Sequence, residues 1–362
     1  MKGPLLIPPL SIQSYLVTYN ELTRELPPLI CQLRSPYTLD LSNNNLTGTI
    51  SPCLSNLSDS LLVLDLKDNN FQGPIPHSYK KGNKLKMIDF SGNKLQGKVP
   101  RSLVSCTELG ILDLSHNLTE DTFPFWLGDL TKLQVLILRS NKFYGAIESP
   151  KIKLGFPNLR IIDLSHNGFI GNLLAKYFQN LIARSLASCT ELGILDLSHD
   201  LTEDTFPFWL GDITKLQVLI LRSNKFYGAI ESPKIKLEFP NLRIIDLSHN
   251  GFIGNLLAKY FQNLIAMKFF DVNKATYMYA PIEIPLNISL PWISIYYFNM
   301  NITNKGVNTD YKWILNIFTA IDLSRNKFEG EIPKFFGNLK GFKFSTVPTM
   351  TLVVESHHAW ET

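Results

Sequence analysis

The sequence predicts an α/β-type repeat solenoid, a stack of short parallel strands joined by irregular connections. Three observations predict it. The string L-x-L-x-x-N recurs along most of the chain. A second string, x-[L/F]-x-G-x-[I/V]-P, follows several of its copies. Residues 101–183 recur almost unchanged as 184–266, and this tandem block keeps the phase of both strings. A fixed period of this kind marks a chain in which each repeat buries its apolar side only against its neighbours.

The first string reads LDLSNN ending at Asn44, LDLKDN at Asn69, IDFSGN at Asn93, LDLSHN at Asn117 and LILRSN at Asn141. It continues as IDLSHN at Asn167, LDLSHD at Asp200, LILRSN at Asn224, IDLSHN at Asn250 and IDLSRN at Asn326. A weaker copy ends at Asn20, which makes eleven coils, most of them at a nearly constant interval. Within each L-x-L the side chains alternate, so the leucines point one way and the variable residues the other. The closing Asn both donates and accepts hydrogen bonds, so these positions are expected to form a ladder between coils. At about 4.8 Å per strand, eleven coils would span roughly 50 Å.

The second string appears at Phe71–Pro76, Leu95–Pro100 and Phe328–Pro333. Its glycine suits a backbone position with unusual φ, and its proline stops helix growth. Together the strings resemble the plant class of leucine-rich repeats in receptor-like proteins and receptor kinases. TFPFWLGDLTKLQVLILRSNKFYGAI and FPNLRIIDLSHNGFIGNL are similar to receptor-like proteins of the disease-resistance type. The resemblance covers most of the chain. It implies a curved horseshoe with a parallel β-sheet on the concave face and short 3-10 or irregular segments on the convex face.

Residues 1–261 are read as repeats. The tandem blocks, 101–183 and 184–266, differ only at Val104/Ala187, Asn117/Asp200, Leu130/Ile213 and Gly155/Glu238. The interval from Asn167 to Asp200 is longer than those around it, so a loop near Lys176–Ala183 must bulge out. Thr119 and Thr202 stand where other coils put Leu or Phe, and Asp200 lacks the donor of an Asn, so these coils are expected to be weaker. Residues 262–315 form a non-repeat island rich in aromatics, including Tyr296 and Tyr297. One repeat returns at 316–343, and 344–362 is an atypical tail.

The net charge of +4 is scattered and forms no basic run, so nucleic acid is not an expected partner. No apolar run reaches the length of a membrane span. Pro4, Pro8 and Pro9 break the short apolar stretch at the start, so a secretion leader is not expected here. By the resemblance, plasma-membrane anchoring with extracellular repeats belongs to a fuller-length form. Kinase, hydrolase-elbow and zinc-helix motifs are lacking, so no catalysis is expected. Asp40, Asp65, Asp89, Asp113, Asp163, Asp196, Asp246 and Asp322 all sit between the two strand apolar residues. They read as a solvated or ligand-facing column on the concave surface.

His116, His166, His199 and His249 each precede the ladder position, with no third ligand evident, so neither metal nor cofactor is expected. Cys31 and Cys53 fall at similar offsets after their coil asparagines, which puts them near each other on adjacent coils and permits a disulfide in an oxidising compartment. Cys106 and Cys189 read as small buried apolar residues. The sequons at Asn45, Asn56, Asn287 and Asn301 are glycosylation candidates, whereas Asn117 is a ladder residue and expected to be too buried.

The leading functional expectation is a ligand-recognition ectodomain of a plant cell-surface receptor-like protein, in defence or development signalling. The expected ligand is a protein or peptide, bound through the concave face and the island. The resemblance also implies a leucine-rich repeat receptor kinase as co-receptor. Contact candidates are Lys67, Arg139, Asp163, His166, Arg222 and Arg325 on the strands, with Tyr296 and Tyr297 on the island. Two rival readings are a truncated product without function and a repeat-type inhibitor of cell-wall-degrading enzymes. The island argues against the inhibitor.

Overall fold

Each L-x-L string forms one three-residue strand, and within each compact unit of the chain consecutive strands pair in parallel. A computed structural model describes residues 1–57, 60–147, 156–171, 189–230, 239–256, 264–268, 273, 275–284, 292–297, 300–304, 307–311, 314–330, 342–345 and 353–356. The chain divides into two compact units, the first built mainly on Met1–Leu159 and the second on Phe169–Ala280 and Ile295–Thr362, with Arg160–Ser165.

The first unit carries β1 (Ser14–Leu16), β2 (Thr38–Asp40), β3 (Val63–Asp65), β4 (Met87–Asp89), β5 (Ile111–Asp113) and β6 (Val135–Ile137). Their pairing is in register from coil to coil, so Asp40, Asp65, Asp89 and Asp113 fall side by side. The second unit carries β7 (Ile161–Asp163), β8 (Ile194–Asp196), β9 (Val218–Ile220), β10 (Ile244–Asp246) and β11 (Ala320–Asp322). β10 pairs directly with β11, although the island lies between them in sequence. The phase resumes with Ile244 opposite Ala320 and Asp246 opposite Asp322.

The closing asparagines link the coils. Asn69 shows the pattern: Nδ2 donates to the carbonyl of Leu41 in the preceding coil at 3.0 Å, and Oδ1 accepts from the N–H of Leu46 at 3.0 Å. The same Nδ2 also reaches the carbonyls of Leu66 and Lys67 in its own coil. Asn44, Asn93, Asn117, Asn141, Asn167, Asn224, Asn250 and Asn326 repeat both links to the coil before. Asp200 keeps the acceptor half, taking the N–H of Phe169 at 3.2 Å.

The residue before each ladder position has positive φ: Asn43, Asp68, Gly92, His116, Ser140, His166, His199, Ser223, His249 and Arg325, with Tyr19 in the first coil. This is the left-handed conformation, which costs a side-chain-bearing residue about 1–2 kcal/mol. The ladder bonds on either side hold it there. The four histidines therefore share a turn position, which accounts for their regular recurrence.

Past the ladder, the G-containing string makes a second row of short strands. In the first unit Gln72–Pro74 pairs with Lys94–Gly97, and in the second Tyr227–Ala229 pairs with Gly251–Asn255. Gly73 has φ +77°, which explains the glycine of the motif. Short 3-10 segments follow the prolines, at Pro52–Asn56, Arg101–Ser105, Phe125–Asp129 and Phe208–Asp212. Leucines fill the inside of each coil, and phenylalanines stack along it. Phe226, Phe252 and Phe328 lie 6.0 and 6.1 Å apart in near-parallel planes.

Thr119 and Thr202 point into this core, buried, while Leu118 and Leu201 are turned outward and exposed. The Thr119 hydroxyl has no hydrogen-bond partner among the described residues, a specific defect in the coil expected to be weak. The Lys176–Ala183 loop lies outside the described residues. In the island, Met300–Asn304 and Val307–Tyr311 form an antiparallel hairpin. The chain then returns to the repeat beside Tyr277, through a bridge to Leu315. In the tail, Phe342–Ser345 pairs antiparallel with Val353–Ser356.

Cys31 and Cys53 form a disulfide, with Cα atoms 5.8 Å apart. Cys106 and Cys189 are buried, and the Cys106 thiol accepts from Asn83 Nδ2. Among the described residues no helix is long and apolar enough to cross a membrane.

Candidate functional site

The strand residues that point away from the leucine core form two columns, one of apolar side chains and one of aspartates. The aspartate column corrects the sequence expectation of a solvated surface. Asp89, Asp113, Asp163, Asp196, Asp246 and Asp322 are all buried. The local reason is that Oδ1 accepts the N–H of the residue two places on, as from Ser91, Ser115, Ser165, Ser198, Ser248 and Ser324. The carboxylate thus folds back on its own turn and lies flat between its neighbours.

In the first unit four such carboxylates adjoin, and Lys67 is the cation set among them. Burial, then Asp89 and Asp40, push Asp65 up to about 9. Burial and Asp89 push Asp113 up to about 8, and burial also raises Asp89. Burial works to lower Lys67, but Asp89, Asp113, Asp68 and Asp65 outweigh it and raise the ammonium.

The second unit differs. Ile220 replaces one aspartate and Arg222 stands beyond it, so the column beside it is Asp246 and Asp322, paired in register, with His249 and Arg325 on the following turns. Asp246 and Asp322 are each only 3% exposed. Burial, then Asp322, push Asp246 up to about 7, while Ser248 and Arg222 pull it back. Burial raises Asp322, against Ser324 and Arg222. Burial lowers His249, helped by Arg222 and Arg325, which favours the neutral imidazole.

Four buried polar atoms of this group have no hydrogen-bond partner among the described residues: Asp246 Oδ2, Asp322 Oδ2, Arg222 Nε and His249 Nδ1. Leaving a buried polar group unmet costs about 1–3 kcal/mol each. Such groups call for an explanation, and a ligand is one. These atoms lie just beneath the surface, so a partner with alternating N–H and C=O groups reaches them where the half-buried Arg222 and His249 side chains shift aside.

The structure therefore brings Arg222 and Arg325 together with three residues that the sequence assigned to the repeat consensus, Asp246, His249 and Asp322. Their link was hidden because the island separates β10 from β11. The other contact candidates lie elsewhere. Lys67 is half-buried among the first unit's aspartates, and Arg139 is half-buried after β6. Asp163 is buried, with Oδ1 taking both the N–H and the hydroxyl of Ser165. His166 is exposed on its turn. Tyr296 and Tyr297 belong to the strand Trp292–Tyr297, and their side chains lie outside the described residues.

Of the glycosylation candidates, Asn45 is exposed; Asn287 and the side chains of Asn56 and Asn301 lie outside the described residues. Asn117 is buried with its amide committed to the ladder. Among the described residues no group of three or more His, Cys, Asp or Glu side chains could hold a metal ion.

Leucine-rich repeat family models match residues 59–118, and also 36–57, 158–181, 241–264 and 318–339. Receptor-like protein 35 of Arabidopsis thaliana is 36% identical over 322 residues, 89% of this chain and 24% of its own length. Receptor-like protein 32 of the same plant is 38% identical over 342 residues, 93% of this chain and 28% of its own. The chain belongs with the plant leucine-rich repeat receptor-like proteins. It spans about a quarter of the length of these two relatives. Among solved structures it is similar to a TDR receptor, with 30% identity and a TM-score of 0.60 over 72% of this chain and 43% of that one. It is also similar to the Arabidopsis receptor kinase HAESA, solved with the peptide hormone IDA and the co-receptor SERK1. There the identity is 25% and the TM-score 0.53, over 72% of this chain and 47% of that one.

Proposed function

We propose that this chain is a ligand-recognising part of a receptor-like protein's extracellular region. Its strand face at Arg222, Asp246, His249, Asp322 and Arg325 holds an extended peptide. The observation that carries this reading is the set of four unmet buried polar atoms on one face of three adjoining coils. A peptide backbone supplies N–H groups for the two carboxylate oxygens and a carbonyl for the Arg222 Nε. The structure of HAESA with a peptide hormone supports the ligand class by analogy. The same analogy supports a partner receptor kinase as the signalling element, at the plasma membrane in the full-length protein, in defence or development. The chain's own role in this reading is binding, without catalysis.

The test is selection of binders to the purified chain from a displayed random-peptide library. We expect enriched peptides whose binding drops about ten-fold or more in Arg222→Met and in Asp322→Asn, since each variant leaves a bound polar group unmatched. Failure to enrich any peptide, or enriched peptides indifferent to both variants, overturns the reading.

A further inference from the structure

The second unit also contains a cavity of about 500 Å³, away from the aspartate column, on the edge where the chain enters the strands. Its floor comes from four coils: Arg160, the Glu191–Lys215 pair, Gln217 and Asn241. Its wall is the segment by which the island rejoins the repeat, with Tyr277 and Asn316. This volume is in the range of small-molecule sites, roughly 300–1,000 Å³.

The frame is fixed. Asn316 Nδ2 donates to the Thr276 hydroxyl, its Oδ1 accepts the Thr276 N–H, and its own N–H bonds the Thr276 carbonyl. Met278 N–H donates to the Ile314 carbonyl at 2.7 Å. Across the cavity Lys215 Nζ holds both carboxylate oxygens of Glu191, at 2.7 and 2.6 Å. Asn241, also in the lining, donates its Nδ2 to the Thr214 carbonyl at 2.8 Å, so its Oδ1 is not used in that bond.

Within this frame, Arg160 and Gln217 line the cavity, the Arg160 guanidinium near enough to the Glu191 carboxylate to help lower it, and Tyr277 is 43% exposed. The lining thus presents a fork of N–H donors, an amide that both donates and accepts, a further amide oxygen and an aromatic face. An apolar ligand would strand these groups. A multiply charged anion would meet the Glu191 carboxylate. The lining carries one positive charge in excess, from Arg160 and Lys215 against Glu191. A ligand rich in hydroxyls, each able to donate and accept, with C–H faces for the ring and a single carboxylate for Arg160, matches every group.

We propose that this cavity binds a short acidic oligosaccharide carrying one uronic-acid unit. Arg160 takes the carboxylate, Gln217 and Asn241 take ring hydroxyls, and Tyr277 covers a sugar face. The site is separate from the peptide-binding reading, and either can fail alone.

The tandem block supplies a control inside the molecule. Glu108, Lys132, Gln134 and Asn158 are the first-block counterparts of Glu191, Lys215, Gln217 and Asn241, with the same ion pair and the same amide tie. The cavity wall is not part of the duplicated block. The experiment is titration of the full chain with the disaccharide galacturonosyl-rhamnose, and with its neutral counterpart galactosyl-rhamnose, followed by saturation-transfer NMR and calorimetry. We expect saturable binding of the acidic sugar, with the neutral one weaker. Arg160→Gln and Gln217→Ala should each weaken binding about ten-fold, while Gln134→Ala leaves it unchanged. Unchanged circular dichroism of each variant confirms that the fold is intact. No saturable binding, equal binding of neutral and acidic sugars, or the same loss in Gln134→Ala overturns the proposal.

Discussion

Replacing Asp200 by Asn should repair the one ladder position that lacks a donor. The near-identical first block shows what is missing. There Asn117 Nδ2 donates to the carbonyl of Phe90 in the preceding coil at 2.9 Å, and to Leu114 and Ser115 in its own. Asp200 keeps the bond from Phe169 N–H but has no N–H of its own to give. An Asn at 200 is placed to donate to Leu164 of the coil before and to Leu197 and Ser198. A net hydrogen bond contributes about 0.5–1.5 kcal/mol, so two new donors contribute about 1–3 kcal/mol. The reverse change, Asn117→Asp, should cost about the same. Hydrogen exchange reads this locally, where about 1.4 kcal/mol is a factor of ten. Amides of β8 and of the preceding coil should exchange roughly 5 to 150 times more slowly in Asp200→Asn. In Asn117→Asp those of β5 should exchange faster. If neither variant changes exchange, the donor half of the ladder does not hold the coils together, and the reasoning fails.

Thr119→Val should raise the urea midpoint, by a gain of about 1–2 kcal/mol, because it removes a fully buried hydroxyl that has no partner among the described residues; a lower midpoint would show that the hydroxyl is met in solution. Reducing the Cys31–Cys53 disulfide, which closes a separation of 22 residues, should destabilise the first coils by roughly 3 kcal/mol, and exchange of β1 and β2 amides before and after reduction checks it. The first unit should lose stability as pH rises. Asp65, Asp113 and Asp89 have folded values raised to about 9, to about 8, and upward respectively, against about 4 when unfolded. Between those limits the folded chain holds protons that the unfolded chain has shed, so the slope of stability against pH is negative. Urea midpoints should fall from pH 5 to pH 8, and fall less in Asp113→Asn; a midpoint that rises over this range contradicts the column's burial.

The strands, the ladder and the disulfide were legible because each depends on residue type at a fixed offset. Asn at the end of L-x-L-x-x-N has one geometry that satisfies both its own coil and the one before, and coil after coil repeats it. The left-handed residue before it was not legible. Asn, Asp, His, Ser, Arg and Gly all occupy that turn, since the ladder outweighs the cost of positive φ for each. The aspartates misled for another reason. LDLS looks like a polar outward face, yet the carboxylate takes the N–H two residues on and lies buried. The Arg222, Asp246, His249, Asp322 group needed the register between β10 and β11, which the island conceals in the sequence. The cavity wall at Thr276–Met278 carries no repeat signal at all.

The ladder also gives the solenoid a direction. Each Asn meets an N–H and a C=O of the coil before it, and neither of these links reaches forward. Strand pairing exposes main-chain groups at either cut, since each coil bonds its neighbours on both sides. The ladder does not share that symmetry. Within it, removing a coil's predecessor frees only a side chain, which can turn to water, whereas removing its successor strands two further main-chain groups, which cannot turn. The ladder's cost therefore falls on the cut that takes a successor away, and by this difference shortening the array from its beginning should be the gentler cut.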